Sequence, residues 1–263
     1  MILASDIRRV VVKVGTSTIT HPNGQLNFRH IDLLSRALCD LKNAGHEMIL
    51  VTSGAIGVGA NKLGLKSRPK DIPTRQAAAA VGQSELMHIY DKCFIEYGNV
   101  IAQILITKNI LEEGPSRTNA RNAFDRLFEL GAIPIVNEND TVAIDELGFG
   151  DNDTLSATVA RLVNADLLIL LSDIDGLYDR DPHEDDKARL IPLVRGITDE
   201  IIEAAGGAGS ENGTGGMVSK LDAAKIALDA GIPMVITNGD NPQNLYDICE
   251  GRIKGTLFLP EGR

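Results

Sequence analysis

The strongest constraint on this chain is the rhythm of its apolar segments, in which short β-branched or aliphatic runs alternate with longer stretches of helical spacing. Strands are predicted at Val10–Val12, Met48–Val51, Val100–Ile106, Ile133–Val136, Leu167–Leu171 and Met234–Ile236. Between them, helices are predicted over Phe28–Asn43, Arg75–Tyr97, Thr118–Leu130, Asn152–Val163 and Val218–Ala230. The first of these has Ile31, Leu34, Leu38 and Leu41 on one face, Asn27 as its N-cap and Gly45 as its stop. Strands that alternate with helices pair in parallel, because each helix carries the chain back to the edge where the next strand begins. Val10–Val12 and Leu167–Leu171 are apolar at every position rather than at alternate ones, as befits central strands covered on both faces. The expected fold class is therefore α/β with a mainly parallel central sheet.

At 263 residues and 43% hydrophobic composition, a chain can bury about 70–75% of its unfolded surface, enough for one large domain or two lobes. Lys and Arg total 26 against 36 Asp and Glu, a net charge of −10. That field repels phosphate backbones, so nucleic acid is not an expected partner, although local lysines still act at contact distance. Cys39, Cys93 and Cys249 are odd in number and lack metal-ligand spacing, which reads as reduced thiols. Met1–Arg9 has no apolar leader core, and Leu167–Leu171 is far too short to span a bilayer. A cytoplasmic protein with no membrane partner is the expectation.

Four segments carry groups suited to chemistry. Asn137-Glu138-Asn139-Asp140-Thr141 follows the Ile133–Val136 strand, and Gly150-Asp151-Asn152-Asp153-Thr154 opens the next helix. Ligands of open α/β sheets bind at the C-terminal ends of strands, and carboxylates and amides there can hold an amino group, a metal or a water. The competing reading is a solvated loop in which Asn152 or Asp153 caps the helix. Lys13 ends the first strand, where a cation in an apolar run calls for an anionic partner, and Gly15, Thr16 and Ser17 follow it as a turn. Otherwise Lys13 snorkels to solvent. Thr52-Ser53-Gly54 repeats that arrangement after the second strand, either to hold a substrate carboxylate or to cap a helix. Finally, the glycine-rich stretch from Gly206 to Gly216 runs into Met217-Val218-Ser219-Lys220, whose free backbone N–H groups and lysine suit a phosphate. An ordinary mobile connection beside a surface lysine is the alternative.

The chain lacks a Gly-Lys dipeptide, so it has no Walker A loop, and no G-x-G-x-x-G follows a strand. G-x-S-x-G and H-E-x-x-H are missing too, and the five histidines form no ligand-spaced pair. Taken in order, however, K-V-G-T-S from Lys13, T-S-G-A-I from Thr52, N-E-N-D-T-V from Asn137, G-D-N-D-T-L-S-A from Gly150 and G-T-G-G-M-x-x-K from Gly213 resemble the glutamate 5-kinase family, a branch of the amino-acid kinases. The resemblance runs from Lys13 to about Phe258.

That resemblance implies a three-layer αβα sandwich in a single domain, 1–263, with about 1–165 binding glutamate and about 166–263 binding nucleotide. It implies transfer of the ATP γ-phosphate to the side-chain carboxylate of L-glutamate, the first step of proline biosynthesis, with Mg²⁺ accompanying ATP. Carried over by position, Lys13, Lys220 and Asp153 are the catalytic candidates, the two lysines touching ATP and Asp153 organising them. The ATP-binding set is Lys13, Gly15, Ser172, Asp173 and the run Thr214, Gly215, Gly216, Met217, Val218, Ser219 and Lys220. The glutamate set is Ser53, Gly54, Asn137, Asp140 and Asn152, with Asp140 suited to the substrate ammonium. No residue is singled out as a direct metal ligand. A homo-oligomer and feedback inhibition by proline are also implied, with Ala77, Ala80, Val81, Leu86 and Ile89 as interface candidates. Many members of the family continue into a PUA domain, whereas this sequence reads as the short form.

Overall fold

The computed structural model describes residues 7–67, 69–107, 114–142, 152–182, 185–204 and 216–260. The chain divides into two compact units, one made of Met1–Lys13 with Gly150–Arg263 and the other of Val14–Phe149.

In the Val14–Phe149 unit the elements are α1 (Thr16–Ile19), α2 (Phe28–Asn43), β2 (Glu47–Thr52), α3 (Ala55–Lys62), α4 (Ile72–Glu96), β3 (Ile101–Ile106), α5 (Pro115–Glu129) and β4 (Ile133–Glu138). The strand β1 (Arg9–Val14) precedes them and lies almost wholly in the other unit. Strand order is β3-β4-β2, and both pairings are parallel. β2 is buried from Met48 to Thr52 and β4 from Ile133 to Asn137, and their apolar runs Met48–Val51 and Ile133–Val136 are unbroken, as a strand covered on both faces requires. Helix α2 matches its predicted bounds, and the Asn27 side chain accepts from the His30 N–H as expected of its cap.

The contact between α3 and α4 is made backbone to backbone. A Cβ placed on Gly59 would stand 1.8 Å from the Ala78 carbonyl oxygen, and one on Gly82 would stand 1.8 Å from that of Ala55. Only glycine fits at either position, and the closeness of the two helices fixes α3 directly behind the Ser53-Gly54 turn. Gly82→Ala is expected to cost about 1–3 kcal/mol, toward the upper end because backbone rather than a side chain has to yield. The check is a lower urea midpoint at unchanged m-value. Leu86 and Ile89, expected at an interface between copies, are instead buried within this unit, while Ala77 and Ala80 are exposed. The predicted set thus straddles two faces of the helix, one packed inside the unit through Leu86 and Ile89 and one exposed at Ala77 and Ala80.

In the other unit, β1 is followed by α6 (Asn152–Val163), β5 (Leu167–Ser172), β6 (Leu193–Arg195), α7 (Asp199–Ala204), α8 (Met217–Asp229), β7 (Met234–Asn238), α9 (Asn244–Cys249) and β8 (Thr256–Leu259). The order here is β1-β5-β7-β8-β6. β5 pairs with β7 and β6 with β8 in parallel, and β7 with β8 antiparallel. Every residue of β5 is buried, as its sequence Leu-Leu-Ile-Leu-Leu-Ser demands. Asp166 pins the entry of β1, its Oδ2 accepting from the Arg8 and Arg9 backbone N–H groups at 2.9 and 2.7 Å. Asn152 and Asp153 lie inside α6 rather than capping it from outside. The architecture is α/β with a mainly parallel sheet, as the sequence predicts. Among the described residues no helix is long and apolar enough to cross a membrane. Cys39, Cys93 and Cys249 are free, and burial pushes the Cys39 and Cys249 thiols up to about 11 and about 12.

Candidate active site

Lys13 is carried to the end of β1 by the run Val10-Val11-Val12, which also buries it, leaving the residue only 6% exposed. An ammonium so placed needs a compensating charge. Asp153, in the first turn of α6 and fully buried, supplies it, with Oδ1 2.5 Å from Lys13 Nζ. A carboxylate in the first turn of a helix is also favoured by the helix dipole. Lys220 is placed against that preference, a cation in the first turn of α8 and 7% exposed. The same carboxylate stabilises it there, since Lys220 Nζ lies 3.3 Å from Asp153 Oδ2. Ser219 Oγ lies within hydrogen-bonding distance of Asp153 Oδ2 at 2.9 Å and of the Gly216 carbonyl oxygen at 2.8 Å.

Burial pushes the Asp153 carboxyl up, but the charges of Lys13 and Lys220 and the hydrogen bonds from Lys13 and Ser219 outweigh it and hold the group below the ordinary carboxylate range. The three groups together carry one net positive charge in a site shielded from water, an arrangement that favours a polyanion. Gly216 is the N-cap of α8 and makes no side-chain cap hydrogen bond, so the start of that helix, with its positive dipole end, suits an anion. Thr214 and Gly215 lie outside the described residues. Neither bland expectation holds for the lysines, since Lys13 does not snorkel outward and Lys220 is not a surface residue. Ser172 is buried at the end of β5 and donates to Asp173 Oδ1 at 3.1 Å. Asn152 is buried beside Asp153 at the start of α6.

In the Val14–Phe149 unit, parallel pairing of Val51 with Val136 brings Thr52-Ser53-Gly54 and Asn137 to adjacent strand ends. Thr52 does not cap α3; its hydroxyl meets the Tyr90 hydroxyl at 2.8 Å. Gly54 is the N-cap, in the left-handed region at φ +97°, and a Cβ there would stand 3.2 Å from Ile19 Cδ1. Gly15 is the N-cap of the short α1. Asn137 is buried, its Nδ2 donating to Gln83 Oε1 at 2.9 Å and its Oδ1 accepting from the Glu138 N–H at 2.9 Å. Asp140 is partly exposed in the turn that follows β4. The sequence reading missed Gln83 and Tyr90. Their signal is a pair of polar groups seven residues apart on an otherwise apolar helical face.

Among the described residues no group of three His, Cys, Asp or Glu could hold a metal ion, and Asp153 is occupied by two ammonium groups. The described donors do not build a resident metal centre.

A mainly parallel α/β sheet that carries two buried lysines joined by one aspartate suits the binding of a phosphate-bearing ligand. The description of the amino acid kinase family matches residues 8–238, and the chain belongs to that family. Its relatives narrow the class. It is 55% identical to "Glutamate 5-kinase" of Clostridium perfringens over 97% of this chain and 96% of that one. It is 54% identical to the protein of that name from Listeria monocytogenes, over 95% of this chain and 92% of the relative. These matches bear out the resemblance read from the sequence. Among solved structures, UMP kinase from Bacillus anthracis superposes with a TM-score of 0.67 at 17% identity, covering 97% of both chains. Isopentenyl phosphate kinase from T. acidophilum gives 0.66 at 18%, covering 95% of this chain and 99% of the other. At such low identity these two structures speak for the fold.

Proposed function

We propose that this chain transfers the γ-phosphoryl group of Mg-ATP to the side-chain carboxylate of L-glutamate, giving γ-glutamyl phosphate, the first step of proline biosynthesis. The observation that carries the reading is the Lys13–Asp153–Lys220 clamp in a chain 55% identical to a glutamate 5-kinase along nearly its whole length. Phosphoryl transfer between a carboxylate and ATP gathers negative oxygens at one place, so catalysis is positioning and charge neutralisation. Lys13 and Lys220 supply the positive charge, Asp153 orients both, and the Gly216–Lys220 turn presents N–H groups to the nucleotide phosphates. Ser172, Asp173, Gly15, Thr214 and Gly215 complete the ATP side. Mg²⁺ supplies further neutralisation of the phosphates when ATP is bound. No general base is required, because the attacking carboxylate is ionised at neutral pH.

The resemblance assigns Ser53, Gly54, Asn137, Asp140 and Asn152 to the acceptor, with Asp140 receiving the substrate ammonium through a charge-assisted bond. Asp140→Asn is expected to raise the glutamate KM by about tenfold or more, the value of a lost charged hydrogen bond, and to leave the ATP KM near wild type. Steady-state kinetics in both substrates checks this, and unchanged constants remove Asp140 from the role. Proline, sharing the amino-acid charges of glutamate, is proposed to inhibit at or beside this acceptor side, and the chain to self-associate.

The reaction itself is tested by ADP release from Mg-ATP with L-glutamate, N-acetylglutamate, aspartate, carbamate and UMP in turn. Hydroxylamine is present to trap acyl phosphate as hydroxamate. ADP and hydroxamate that depend on glutamate establish the reading, whereas turnover only with another acceptor overturns it.

A further inference from the structure

Helix α4 is tied to the ends of both acceptor-side strands by side chains that none of the sequence motifs contains. Gln83 and Tyr90 are seven residues apart and so lie on one face of the helix, two turns from each other. Tyr90 meets Thr52 at the end of β2, and Gln83 holds Asn137 at the end of β4. Since Val51 pairs with Val136, the two ties fall on positions that stand opposite each other at the ends of adjacent strands, one residue before Ser53 and three before Asp140.

The Gln83 tie is made at a cost. Its Nε2 is buried with no hydrogen-bond partner among the described residues, in a residue only 8% exposed. Exchanging the two ends of the amide does not relieve this. The exchange would set Nε2 against Asn137 Nδ2, donor to donor, and Asn137 cannot turn in response because its Oδ1 already accepts from the Glu138 N–H. A methionine would fill the same space without that donor, but it would also take the acceptor oxygen away from Asn137 Nδ2. Glutamine is thus held here with one end unsatisfied, and what its other end does is orient Asn137.

We propose that Gln83 is a positioning residue for the amino-acid acceptor, acting through Asn137, with Tyr90 bracing Thr52 and the Ser53 turn from the same helix. The proposal rests on the acceptor-side reading above. It assigns to α4 the spacing between the two strand ends that recognise the acceptor, and so a share of the discrimination between acceptors of different length.

The test compares full-length wild type, Gln83→Met, Gln83→Glu and Asn137→Ala, and combines Gln83→Met with Asn137→Ala. Gln83→Met keeps the volume and removes the acceptor oxygen. It is expected to raise the glutamate KM about tenfold, the cost of one misplaced hydrogen-bonding group, while the ATP KM stays within about twofold and the urea midpoint falls only slightly, since one buried donor is removed as another loses its acceptor. A residue that serves only folding would move the midpoint and both constants together. If Gln83 acts through Asn137, the double variant has a glutamate KM no worse than Asn137→Ala, because coupled residues are not additive. Gln83→Glu keeps an oxygen facing Asn137 Nδ2 and is expected to bring the glutamate KM back toward wild type. An unchanged glutamate KM in Gln83→Met, fully multiplicative effects in the double variant, or a Gln83→Glu as impaired as Gln83→Met overturns the proposal. Should Gln83→Met fail to fold, Gln83→Glu decides, a near-normal glutamate KM supporting the tie and a raised one overturning it. Wild-type hydroxamate formation with glutamate is the control, and its absence sinks the functional reading rather than the role of Gln83 within it.

Discussion

Lys220→Ala is expected to lower kcat by about 10²–10³, the effect of removing one preorganised charge-stabilising donor, with a much smaller change in the glutamate KM. The size of the loss follows from where Lys220 sits. Its ammonium is buried, so its field is not screened by water, and it is already held by Asp153 before any substrate arrives. No reorganisation is then needed as negative charge shifts along the reacting phosphate. Single-turnover measurement of ADP formation separates this loss from slow product release, and turnover near wild type removes Lys220 from the mechanism. Lys220→Arg is not a conservative control, since a planar guanidinium cannot occupy the place of a point charge behind Ser219 without displacing it.

Asp153→Ala should be the most damaging single change to the fold and the site together. It leaves Lys13 and Lys220, both buried, facing each other without the carboxylate that joins them, and breaking a buried ion pair by deleting one partner costs about 3–5 kcal/mol. Kinetic loss and a lowered urea midpoint are both expected, and a variant as stable as wild type would show that the clamp is not structural. The same linkage gives the pH dependence of the wild type. The carboxyl of Asp153 titrates below its unfolded value, so its contribution to stability is fully present above about pH 4, the unfolded range for aspartate. It is lost as pH falls through the lower folded value. Unfolding measured between neutral and strongly acid pH in wild type and Asp153→Asn should differ most at neutral pH and converge in acid.

The parts of the fold that were legible in the sequence are those whose period is long or whose burial is complete. Phe28–Asn43 and Asn152–Val163 were read at their observed bounds, and β5 as a central strand, because amphipathic spacing and an unbroken aliphatic run each survive without knowledge of neighbours. β6 and β8, of three and four residues, and the short helices α1, α7 and α9 carry too few periods to stand out. Helix α4 began three residues before Arg75, at Ile72 beside a proline, where Asp71 caps it through the Thr74 N–H. Of the candidate site, Lys13, Asp153 and Lys220 were legible through their motifs, but their mutual contact was not, because 140 residues separate Lys13 from Asp153 along the chain. Gln83 was missed for a different reason. Its spacing from Tyr90 marks a polar interruption of the helical face, but the partner that gives it a role, Asn137, lies on a strand 54 residues away.

The shared carboxylate of Asp153 bears also on the fate of the product. An acyl phosphate is an acylating agent, and an amine with its lone pair free would capture the glutamyl group as a stable amide. The nitrogens of Lys13 and Lys220 are each engaged by that carboxylate, at 2.5 and 3.3 Å. On the function proposed above, the contact that gathers positive charge for transfer is also the one that keeps both amines turned toward Asp153 rather than toward the acyl phosphate.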